Sequence, residues 1–137
     1  MWWIYALLSA FFAAMTAIFA KIGIKNVNTD LATAIRTVVV LCITWGIAYF
    51  RGGIASIHSL TKQNLLFLLL SGVATGLSWI FYFKALQIGK VSQVAPVDKL
   101  SVALVIIFSV LFLGETLTLK MSIGAAMIIG GTLILIF

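Results

Sequence analysis

Acidic residues are scarce in this chain. There are three in 137 residues, and charged residues of both signs make up only 9%. Soluble proteins carry about 25%, so there is too little charge here to cover a water-soluble core. Asp30, Asp98 and Glu115 stand far apart and form no acid pair suited to hydrolysis. A single cysteine, Cys42, excludes an internal disulfide and a multi-cysteine metal site. One histidine, His58, gives no metal-ligand spacing, and no phosphate-binding loop is present. No catalytic residue, metal site or cofactor is expected.

What the chain has instead is apolar length. Hydrophobic residues make up 64% and the mean hydropathy is +1.25. Several uncharged stretches approach the roughly 20 residues that cross a bilayer as a helix. They are too long, and lack the alternation, for membrane strands, and lipid forces the backbone to pair internally. The sequence therefore predicts an all-α integral membrane protein, a single domain over 1–137. Charges and helix breakers place five spans at about 2–22, 31–50, 64–88, 94–114 and 119–137. The start, Met1-Trp2-Trp3-Ile4, lacks a basic signal segment, so the first run reads as an uncleaved span. The net charge of +6 is scattered singly at the ends of apolar runs, which is the pattern of membrane-side anchors, and nucleic acid is not an expected partner.

An odd number of spans puts the termini on opposite sides. Lys21, Lys25, Arg36, Lys84, Lys90 and Lys99 fall on the side of the C-terminus, and Arg51, Lys62 and Lys120 on the other. The positive-inside rule then favours an outside N-terminus, but only weakly once Arg36 and Lys99 are read as lying inside the bilayer.

At 100° per residue, four spans carry a polar stripe. These are Tyr5, Ser9 and Thr16; Thr33, Thr37 and Thr44 with Arg36 beside them; Ser71, Thr75, Ser78 and Tyr82; and Asp98, Ser101 and Ser109. One such stripe fits hydroxyls bonded to their own backbone, whereas four in four helices fit a lined pathway. The fifth span aligns Ser122, Ala126 and Gly130, a small-residue face for close packing outside the cleft. Gly72 and Gly76 form a GxxxG packing face in the third, with Trp79 following on that face as a wall or a packing residue. Asp98 lies in a first turn if Pro96 starts the fourth helix, and deeper if the helix starts near Ser92. Either way an ion pair with Lys84, Lys99 or Arg36 is expected. Arg36, about 9 Å past Asp30 along the second helix, reads either as snorkelling to the surface or as functional, since intramembrane charge is costly. Lys84 reads as an interfacial anchor or a site residue. Glu115 falls at the end of its helix.

Several segments together resemble a known family. Ala20-Lys21-Ile22-Gly23, Ala34-Ile35-Arg36-Thr37, the run from Ser71 through Gly76-Leu77-Ser78-Trp79 to Tyr82 and Lys84-Ala85-Leu86, and Val94-Ala95-Pro96-Val97-Asp98-Lys99-Leu100-Ser101 are similar to half-length, five-span EamA-type transporters of the drug/metabolite transporter superfamily. Leu113-Gly114-Glu115 with Leu117-Thr118 resembles the end of the fourth span in that family. The resemblance covers essentially the whole chain. Common members carry two such units and a proline nearer the Gly-Glu ending, so their central-helix kink is not carried over.

The resemblance implies a secondary transporter or exporter of small metabolites in the plasma (inner) membrane, with alternating access between two inverted five-helix units. Other readings are a non-transporting subunit of a larger complex and a flippase for a lipid-linked carrier. The expected partners are a small-molecule substrate, membrane lipids and a second copy in an antiparallel homodimer. The candidate pathway or gate comprises Lys21, Arg36, Ser78, Trp79, Tyr82, Lys84, Asp98, Lys99 and Ser101. Its excess of bases suits an anionic or zwitterionic group.

Overall fold

A computed structural model describes all residues, Met1 to Phe137. The chain is helical throughout: α1 (Trp2–Gly23), α2 (Thr29–Phe50), a short 3-10 helix (Gly53–Ser59), α3 (Lys62–Ile88), α4 (Val91–Asp98), α5 (Leu100–Leu113) and α6 (Leu119–Ile136). With α4 and α5 taken as one span, five segments are long and apolar enough to cross a membrane. Their limits lie within a few residues of those read from the sequence.

The helix ends follow local chemistry. The Asn28 side-chain oxygen accepts from the backbone N–H of Asp30 (2.8 Å) and Leu31 (3.2 Å), which caps α2. Thr118 caps α6 by accepting from Met121 N–H at 3.3 Å. Gly114 ends α5 at φ +68, where a side chain would be strained. The connection after α2 is more ordered than the sequence suggested, with Gly52 at φ +70 leading into the 3-10 helix.

The fourth span starts at Val91, beside the Ser92 alternative and not at Pro96, so Pro96 is internal and Asp98 ends α4. The break falls at Lys99, whose N–H is shared between Ala95 O (3.3 Å) and Pro96 O (3.0 Å), a tightened turn before α5 begins. Pro96 itself has no N–H to donate to Ser92 O, one turn earlier.

The chain divides into two compact units, residues 19–87 and residues 1–18 with 88–137. In the first, the buried residues are Ile24, Thr29, Thr33, Phe83 and Leu86. In the second, α6 packs against α4 and α5. Thr132 of α6 is buried there, and its hydroxyl donates to Ile128 O (2.7 Å) and to Pro96 O across the interface (3.3 Å).

The large side chains of the spans are overwhelmingly exposed; Trp2, Phe12, Leu69 and Phe112 are examples. A surface this apolar is matched to hydrocarbon rather than water.

Candidate functional site around Arg36

The site is built from the end of α3 outward. Gln87 donates its side-chain amide to Val27 O (2.8 Å) and Ile24 O (3.3 Å), in the turn between α1 and α2. Lys21, in the last turn of α1, donates its ammonium to Leu86 O, one of the carbonyls that the end of α3 leaves without a helical partner. A cation at a helix C-terminus also meets the negative end of its dipole. These contacts fix the end of α3 at the level of the turn that precedes α2.

That level gives Arg36 a depth. Its guanidinium carbon lies 4.4 Å from the Trp79 ring centroid and 4.8 Å from that of Phe83. Those residues lie one and two turns before Gln87, so the guanidinium sits about 6 to 12 Å along α3 from the turn. Arg36 therefore points into the span instead of snorkelling to the surface. Trp79 and Phe83, four residues apart, share a helix face and offer their rings together. A cation–π contact contributes about 0.5 to 2 kcal/mol, more as the cation is desolvated. Nη1 of Arg36 is buried and has no hydrogen-bond partner in the protein. Asp30 is the sole acid between residues 19 and 87, against Lys21, Lys25, Arg36, Arg51, Lys62 and Lys84.

Other predicted site residues fall as follows. Tyr82 is half-buried beside Phe83, while Ser78 and Lys84 are exposed. In the unit of residues 1–18 with 88–137, Asp98 pairs with its neighbour Lys99 at 3.2 Å, one of the three partners expected. Both side chains are partly exposed and the two residues are adjacent in sequence. Ser101 is exposed on α5.

Thr33, Thr37, Thr44, Thr75 and Ser109 of the polar stripes are satisfied by their own helices. Thr33 donates to Thr29 O, Thr37 to Thr33 O and Thr75 to Ser71 O, each at 2.8–2.9 Å, and Ser109 to Ile106 O at 3.0 Å. Hydroxyls bonded in this way need no ligand. Arg36 Nη1 differs from them in this respect.

The residues expected to pack helices are placed as follows. A methyl group added at Gly72, Gly76 or Gly130 would meet nothing within 4 Å. Ser122 is half-buried and Ala126 exposed.

Phe83 and Gln87 were missed in the sequence. The signals available were an aromatic four residues after Trp79 and a lone amide at the end of an apolar helix.

Five apolar spans, with an arginine held inside one of them by the aromatic face of another, define a multi-pass α-helical membrane protein. The chain belongs to the EamA-like transporter family, whose model matches residues 1–137. It is 51% identical over 134 residues to a Sinorhizobium protein named as an uncharacterized transporter in the cobO 3' region, covering 98% of this chain and 95% of that one. An uncharacterized protein of Methanocaldococcus jannaschii is 30% identical over 133 residues, covering 96% and 93%. No solved structure matches.

Proposed function

We propose that this protein is a secondary transporter of small metabolites in the plasma membrane, working by alternating access as a dimer of five-helix units. The observation that carries the reading is the match to EamA-like transporters over residues 1–137. The intramembrane position of Arg36 supports it. Charge inside a bilayer costs about 2.5 kcal/mol or more, and such residues generally face a bundle interior or a water-filled path. Family membership points to movement of a molecule rather than its chemical conversion. In this mechanism a substrate enters from one side, the units rock about it, and it leaves on the other.

Purified protein in liposomes, challenged with a panel of metabolites, tests the proposal. Saturable flux that depends on the protein supports it. Absence of flux across the panel, together with copurification of an unrelated membrane enzyme, would move the protein to the role of accessory subunit. Within a working assay, Arg36→Gln, Lys84→Gln and Asp98→Asn identify the pathway residues. Unchanged flux in all three at normal protein levels sinks the charged pathway.

A further inference from the structure

The arrangement around Arg36 points to a more specific role, which rests on the transport reading above. We propose that Arg36, backed by Trp79 and Phe83, is the subsite that takes the carboxylate or phosphate oxygens of an anionic substrate.

A guanidinium has two kinds of surface. Its flat face is attracted to aromatic rings, and its edge carries N–H donors in a fork that fits an oxyanion. Here Trp79 and Phe83 lie against the guanidinium at 4.4 and 4.8 Å. The rings hold the cation in place but offer its N–H groups no conventional acceptor. Nη1 is buried and the protein supplies it with no acceptor.

The local charge balance selects the partner. No carboxylate forms a salt bridge with Arg36, since the one such bridge joins Asp98 to Lys99. Asp30, the lone acid of residues 19–87, lies in the first turn of α2, about 9 Å along the helix from Arg36. Arg36 is half-buried with Nη1 enclosed, and a buried donor without a partner is unfavourable. An entering oxyanion supplies that donor with an acceptor and the guanidinium with a counter-charge. Cationic substrates meet the opposite balance and are disfavoured.

The platform also explains why arginine is needed. Lysine would keep the charge but lose the planar face that lies on the rings and the fork that grips two oxygens. The same chemistry is offered by a free organic anion and by a lipid phosphate. The inward direction of Arg36, past the level of the α1–α2 turn, favours the free anion.

The test uses the purified full chain in neutral detergent, with Trp2, Trp3 and Trp45 replaced by phenylalanine. These three are exposed, so Trp79 becomes the sole indole reporter. The probes are benzoate and phenyl phosphate, with benzyl alcohol and benzyltrimethylammonium as neutral and cationic controls of similar size. We expect a saturable change in Trp79 fluorescence with the two anions alone, weakened about tenfold or more in Arg36→Gln, with Arg36→Lys in between. Circular dichroism and elution volume confirm that the variants fold. If Arg36→Gln does not fold, Arg36→Lys and protection of Arg36 from phenylglyoxal by benzoate provide the comparison.

Equal responses to all four probes, or equal affinity in wild type and a folded Arg36→Gln variant, overturn the proposal. A response to added phosphatidylglycerol but to neither free anion overturns it in favour of a lipid anchor. Binding separates this site from transport itself. Anion binding without flux from any panel member defeats the transport reading and leaves the site standing. Flux of neutral or cationic metabolites that Arg36→Gln leaves unchanged defeats the site and leaves transport standing.

Discussion

A charge surrounded by apolar sequence announces itself, and Arg36 was legible from composition alone because so few ionisable residues share its span. Its partners were less so. Trp79 looked like a wall or a packing residue, and Phe83 looked like one more apolar position, because a linear sequence does not show which face of α3 turns toward α2. Lys21, one of the candidate gate residues, donates its ammonium to Leu86 O at the end of α3. Gln87 completes that junction from the opposite direction through Ile24 O and Val27 O. Replacing Gln87 with leucine would leave both carbonyls without its amide. We expect a loss of about 1–2 kcal/mol, within the usual range for a hydrogen-bonding side chain. Thermal unfolding of the detergent-solubilised protein measures it. Lys21→Met should cost at least as much, since a charged donor is lost. A Gln87→Leu variant with wild-type melting would show that the junction is incidental.

Element boundaries were the most readable feature, since Asn28, Gly114 and Thr118 act through local backbone chemistry that sequence contains in full. The interruption at Lys99 was less readable: Pro96 marks where the ladder loses a donor, but the position of the helix start decides whether that proline opens the span or breaks it. Small-residue faces show the limit of pattern reading. Gly72 and Gly76 have the spacing for close helix approach, but each has open space where a methyl would go. If that face is idle, Gly72→Ala and Gly76→Ala should each stabilise α3 by up to about 1 kcal/mol through helix propensity. If a second copy packs there, the same methyls should weaken self-association. Melting temperature and cross-linking yield, measured on the same samples, separate these outcomes. Higher melting with unchanged cross-linking assigns the glycines no contact role.

At the scale of the whole molecule, charge decides how the five spans are inserted. Arg36 is turned along α3 into the span, so it contributes little to the surface count that guides topology. Lys99 is paired with Asp98. What remains is Lys21, Lys25, Lys84 and Lys90 on one side against Arg51, Lys62 and Lys120 on the other. A difference this small gives the insertion machinery little preference. If transport requires two inverted units and each chain supplies one, near-balanced charge permits a single sequence to supply both orientations, and an antiparallel pair then presents an Arg36 from each membrane side. We therefore expect reporters fused after Phe137 to be active on both sides of the membrane. Moving the bias should move the result: Arg51→Gln with Lys62→Gln should drive the C-terminus to the cytoplasm, and flux should fall as one orientation is depleted. A wild-type chain found in one orientation only would remove the antiparallel homodimer, leaving a parallel pair, an oppositely inserted relative or a monomer as the working form.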